Sequence, residues 1–151
     1  MIVSYSKSIY YNVRLTSRYI KACINQILTK LNAEITSDEL FTLDILKCDG
    51  PMCQRDLAKL LFKDRANTGK IARSLEEKGY IEINAEQKIK RLVKNLSLTK
   101  KGLDILNYVA EKGQPIIESL TKQISEKEYE FIISILTRMR NNLSQVVETQ
   151  I

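Results

Sequence analysis

Arg65, Asn67, Lys70 and Arg73 fall within nine residues of the stretch "DRANTGKIARSLEEKG", and no acid separates them. If that stretch is helical, Thr68, Ile71, Ala72 and Leu75 form its inward stripe and the four polar side chains face outward together. Arg and Asn carry the paired donors and acceptors that match guanine and adenine edges in a DNA major groove. Lys offers a mobile point charge suited to a phosphate. The chemistry such a face offers is recognition of a polyanion. Catalysis is poorly provided for, because the 151 residues include no histidine. That removes the commonest general base, the Ser–His and Cys–His nucleophile pairs and most zinc sites. No enzyme activity, metal or cofactor is expected.

The charge distribution agrees with this reading. The chain has a net charge of +6. Residues 53–102 alone hold 13 Lys/Arg and six Asp/Glu, a net of +7, and the rest of the chain is slightly acidic. Lys88, Lys90, Arg91 and Lys94 belong to this basic segment and are expected on the DNA backbone or in the minor groove. Gln54 and Arg55, at the start of a short helix, are expected at phosphates near its free N–H groups. A run of charge is by itself usually a solvated face. Here its placement around Arg65–Arg73 carries the reading.

These side chains need a scaffold, and the periodicities supply one. A first helix spans about 5–31, with Tyr10, Val13, Ile20, Ile24, Ile27 and Leu31 at helical spacing. Thr36 and Glu39 make a capping box for a second helix, stapled by Ile35 and Leu40, that stops before Gly50-Pro51. A third covers 54–61. A fourth runs over 65–78, capped by Asp64 and closed by Gly79. "GYIEIN" and "RLVKNLSL" alternate like two strands around a charged tip, which makes a hairpin. Thr99 caps a fifth helix to about 123, kinked by Pro115. Ser125 and Glu128 box the start of a sixth that reaches about 148.

The resulting order, α-α-α-α-β-β-α-α, is mainly helical with a small β-hairpin wing. Residues 35–99 form a winged helix-turn-helix unit. Residues 1–34 and 100–151 are long helices with more apolar surface than so small a unit can cover. A broad apolar stripe must be buried against something, and the simplest partner is a second copy. Tyr10, Leu120, Leu136, Met139 and Leu143 are the expected dimer contacts. No segment approaches the roughly 20 apolar residues of a membrane span. With no signal-peptide pattern and an odd cysteine count, a cytoplasmic protein is expected. Cys48 and Cys53 flank the Gly50-Pro51 turn and are candidates for a reversible redox pair; Cys23 is expected to pack in the core.

Read as one string, "ITSDELFTLDIL", "DLAKLLFKDRANTGKIARSLEEKGYIE" and "NLSLTKKG" resemble the MarR family of winged helix-turn-helix transcriptional regulators. The resemblance covers about 35–103. It implies a dimer that binds double-stranded DNA, with 65–78 as the recognition helix in the major groove and the hairpin at the adjacent minor groove. It further implies repression of a near-palindromic operator, released by a small-molecule effector or an oxidant. The family's Asp-Arg-Arg wing triplet falls on Ile89-Lys90-Arg91, so its basic part is retained and its aspartate is not. The competing reading is a winged-helix module for protein–protein interaction without DNA binding. It has no use for +7 on the helix-plus-wing segment.

Overall fold

The protein is described here by a computed structural model, covering residues 5–88 and 91–147. After a single 3-10 turn, Tyr5–Lys7, the helices are α1 Ile9–Lys30, α2 Ser37–Asp49, α3 Gln54–Leu61, α4 Arg65–Glu77, α5 Lys100–Thr121 and α6 Glu126–Ser144. The strands are β1 Met52–Cys53, β2 Ile81–Lys88 and β3 Arg91–Leu98. The expected helices are all present. Two ends differ. Ser8 accepts the Tyr11 N–H and starts α1 later than periodicity implies. The last helix stops at Ser144, so Val146 lies in the turn beyond it. The β-branched pair Val146-Val147 is a poor continuation for a fraying helix end.

The wing is more than a hairpin. β2 and β3 pair antiparallel from Ile81↔Leu98 to Lys88↔Arg91. A third strand, β1, pairs with the other edge of β3 through Met52↔Leu96 and Cys53↔Asn95. Two residues before a helix carry no alternation to read, so only the folded sheet reveals β1. Its effect is to tie the start of α3 to the centre of the wing.

Local signals close the helices as expected. Thr36 and Glu39 form the capping box of α2, and Ser125 and Glu128 that of α6. The end of α4 is a Schellman turn: Tyr80 N–H donates to the Leu75 carbonyl at 2.9 Å and Gly79 N–H to that of Glu76 at 2.8 Å. The core joins α2, α3, α4, the sheet and α5 through Leu43, Leu46, Leu57, Leu75, Ile81, Leu96 and Leu106. Leu43, Leu57, Leu75 and Leu96 are fully buried. Each contributes roughly 2–3 kcal/mol of transfer free energy. A second cluster of Leu28, Ile35 and Val109 seats the end of α1 between α2 and α5, with the staple residue Leu40 packed against it.

The turn between α3 and α4 contains a residue in an unfavourable conformation. Phe62 sits at φ +49° in the left-handed region, where glycine is usual, and its side chain is 76% exposed. The left-handed conformation costs an L-residue roughly 1–2 kcal/mol, and little apolar burial offsets it here. Phe62→Gly is therefore expected to stabilise the fold by about 0.5–1 kcal/mol once the added freedom of the unfolded chain is deducted. A urea titration would show a higher midpoint at unchanged slope.

Candidate nucleic-acid interface

Asp64 builds the first turn of α4. One of its carboxylate oxygens accepts the Asn67 backbone N–H at 2.7 Å, and the other accepts the Asn67 side-chain amide at 2.6 Å. The Asn67 backbone N–H, chiefly, holds the Asp64 carboxyl below the usual carboxylate range. Thr68, Ala72 and Leu75 face the core, while Arg65, Asn67, Lys70 and Arg73 are exposed, as the sequence implies. The Arg73 Nε donates to the Gly69 carbonyl at 3.3 Å, which draws the guanidinium back along the helix.

Gly69 faces the end of the Gln54 side chain. A Cβ there would lie 3.0 Å from the Gln54 side-chain nitrogen. With that space open, Gln54 crosses from the start of α3 and donates to the Arg65 carbonyl at 3.2 Å. Gln54 thus fastens α3 to α4, a role its position in the sequence does not signal. Arg55 is exposed beside Asp56, with Nε 3.8 Å from the carboxylate.

Gln54, Arg65, Gly69, Arg73, Ile83 and Lys94 together line a hollow of about 220 Å³ between α3, α4 and the sheet. Three of these side chains are cationic and none is acidic. Asn67 and Lys70 lie on α4 outside the hollow's lining. On the wing, Lys94 is exposed, and Lys88 and Arg91 are register partners at the ends of β2 and β3. Lys90 lies outside the described residues. Among the described residues no cluster of side chains suited to a metal ion occurs, and no helix is long and apolar enough to cross a membrane.

Residues 35–93 match the MarR family. Over nearly its whole length the chain also superposes on MepR of S. aureus, solved as a DNA complex. The TM-score there is 0.73 at 27% identity, covering 93% of this chain and 99% of that one. Residues 35–93 are a winged-helix domain of the MarR family. Among curated proteins it is 24% identical over 112 residues to the uncharacterised HTH-type transcriptional regulator YdgJ of Bacillus subtilis, spanning 74% of this chain and 68% of the relative. The same fold occurs in BpsR of Bordetella bronchiseptica, a regulator controlled by 6-hydroxynicotinic acid. That match has a TM-score of 0.76 at 17% identity, over 93% of this chain and 98% of that one.

The three cysteines are free thiols. Cys48 is exposed at the end of α2. Cys53, at the N-cap of α3, makes no capping bond and donates its S–H to Asp56 at 3.0 Å. That bond, with Arg55 and Lys59 nearby, keeps Asp56 below the usual carboxylate range.

Outside the winged-helix unit, an apolar cleft of about 740 Å³ opens between α1 and α5. Tyr19, Ile20, Cys23, Ile27, Gly113 and Leu120 are among its walls. Cys23, expected in the core, thus lines this cleft. α6 buries none of its residues and packs extensively on no other element of its own chain. Its Phe131, Ile132 and Leu143 stand 63%, 43% and 46% exposed, and the expected contacts Tyr10 and Leu120 stand 60% and 56% exposed. Leu136 and Met139 are half-buried.

Proposed function

We propose that the protein is a dimeric, sequence-specific DNA-binding regulator, acting as a repressor on a near-palindromic operator. The observation that carries the reading is the hollow between α3, α4 and the sheet, where Arg65, Arg73 and Lys94 converge with no acid among them. Arg73 and Asn67 read base edges in the major groove. Asp64 takes only one hydrogen of the Asn67 amide. A second amide hydrogen and the carbonyl oxygen remain for adenine. Lys70, Lys94, Arg55 and the wing residues Lys88, Lys90 and Arg91 hold phosphates, and Gln54 keeps α3 in register with α4. MepR, similar over 93% of this chain and solved on DNA, supports the DNA-binding reading.

The apolar faces of α1, α5 and α6 pair with those of a second copy, which sets two recognition helices about one helical turn apart. A small apolar ligand in the cleft between α1 and α5 releases the repressor. BpsR, of the same fold, responds to a small aromatic acid. An oxidant has less support, because Cys53 is hydrogen-bonded to an acid, whereas a reactive thiol needs basic neighbours. A protein with these contacts works in the cytoplasm.

The test is a gel shift on the duplex upstream of the protein's own gene, against a scrambled duplex of equal composition. Preference for the upstream duplex is expected; equal or absent binding would leave the protein-interaction reading in front. Within that assay, Arg73→Ala should cost roughly 1–3 kcal/mol on the preferred duplex and little on the scrambled one. Lys94→Ala should weaken both, and lower the slope of log affinity against log salt by about one phosphate contact. An unchanged slope would remove Lys94 from the interface.

A further inference from the structure

Two adjacent acids in the first turn of α2 reach the last turn of α4 and the turn that precedes the helix. Asp38 takes Lys63, in the turn just before α4, with Nζ 3.2 Å from one oxygen. Its other oxygen takes Lys21 of α1 at 3.1 Å. Glu39 reaches the far end. The Ser74 hydroxyl donates to its Oε1 at 2.5 Å, and the Lys78 Nζ donates to Oε1 at 2.7 Å and to Oε2 at 2.9 Å. Oε2 also accepts the Thr36 N–H at 2.7 Å. Lys78 is bound in turn from α5, because its carbonyl accepts the Lys101 Nζ at 2.6 Å.

Glu39 is only 3% exposed. A carboxylate at that depth is costly unless each oxygen is satisfied, and an apolar group would generally serve stability as well. What the ion pair adds is direction. The packing of Thr68, Ala72 and Leu75 fixes how far α4 stands from the core, but apolar burial is non-directional. Hydrogen bonds at fixed angles to its last turn resist sliding and rotation. Burial pushes the Glu39 carboxyl up, yet the bonds from Lys78, Ser74 and Thr36 outweigh it and leave the group below the usual range.

We propose that Glu39 is a positioning residue for DNA readout: it clamps the last turn of the recognition helix, while Asp38 holds the preceding turn through Lys63, and together they set the helix's pose against α1 and α5. This rests on the reading role given to α4 above. Glu39 touches no DNA in this scheme. It acts by holding Arg73 and Asn67 within the narrow tolerance that paired hydrogen bonds to bases demand.

The decisive variant is Glu39→Gln. Glutamine can still close the capping box, so α2 keeps its start, while the ionic bond to Lys78 is lost. Removing a negative charge strengthens DNA binding if only the overall field matters. The clamp requires the opposite on the preferred duplex. Binding to the upstream and scrambled duplexes is measured by fluorescence anisotropy, per mole of folded dimer. Glu39→Gln should lose about tenfold on the upstream duplex and keep or gain affinity on the scrambled one. Ser74→Ala, which removes a single bond and leaves the charge, should show a smaller loss of the same sign. It stands in if Glu39→Gln does not fold. In a Lys78→Met background, Glu39→Gln should add little, because the two share one interaction. Unchanged or stronger upstream binding by Glu39→Gln, or by Ser74→Ala in its place, would overturn the clamp. If Arg73→Ala still lost preference, the reading role of α4 would survive that result. An unaltered protein without preference would overturn the reading and the clamp with it.

Discussion

Gly102→Ala is expected to cost about 3 kcal/mol, the upper end of what overpacking a well-filled site costs. Gly102 lies buried in the first turn of α5, and a Cβ there would collide with the Tyr80 carbonyl oxygen and press on a Leu98 methyl. The collision is with backbone, so no rotamer change relieves it. The oxygen is also engaged, since it accepts the Thr99 N–H at 3.1 Å. Thr99 secures the same corner twice more, by its hydroxyl to the Gly79 carbonyl at 2.8 Å and by the Gly102 N–H to that hydroxyl at 3.0 Å. Alanine must pry α5 away from the start of β2 and loosen all three bonds. A urea titration checks it; a change under 1 kcal/mol would mean that the α5–β2 corner yields more easily than this geometry implies. Alanine is otherwise the better helix former by roughly 1 kcal/mol, so a large loss can only come from the collision.

Leu136→Asp is expected to abolish the dimer. Leu136 lies on α6, which finds no extensive packing within its own chain. In the proposed dimer its face is buried against a second copy. Symmetry places two new carboxylates in one interface, and each unpaired buried charge costs several kcal/mol. Sedimentation at micromolar concentration should then give a single species near the 17.4 kDa chain mass. The unaltered protein should run near twice that. Operator affinity should fall about hundredfold, because two half-sites would no longer be engaged at the effective concentration a linked pair provides. The winged-helix core contains no part of α6, so the far-ultraviolet signal of that unit should persist. A variant that stayed dimeric would move the interface away from Leu136.

How much was legible follows from the range of the signals. The caps of α2, α4 and α6 were readable because Thr36/Glu39, Asp64 and Ser125/Glu128 act within one turn of chain. The hairpin is legible because "GYIEIN" and "RLVKNLSL" alternate; that β2 continues to Lys88, through residues expected in the tip, is not, because "AEQK" has no alternating apolar face. The outward set Arg65, Asn67, Lys70 and Arg73 followed from the inward stripe of the same helix. β1 was not readable, since two residues have no period. The sequence marks Gln54 as a phosphate contact but carries no sign of its bond to the Arg65 carbonyl, which the fold brings past Gly69. Glu39 was read as a capping residue, which it is, but its bonds to Ser74 and Lys78 join residues 35 and 39 positions apart.

The sequence by itself determined the winged-helix order, the family of its central segment, the exposed basic face of α4 and the apolar excess of the terminal helices. Each of these is a property of neighbours along the chain, carried by period, cap or local charge. The tertiary structure alone decided that Arg65, Arg73 and Lys94 line one hollow, that Gly102 is required by close approach, and that the first turn of α2 holds the last turn of α4. Those facts depend on which surfaces meet, and a pattern with a reach of one helical turn carries no record of a contact made 35 residues away.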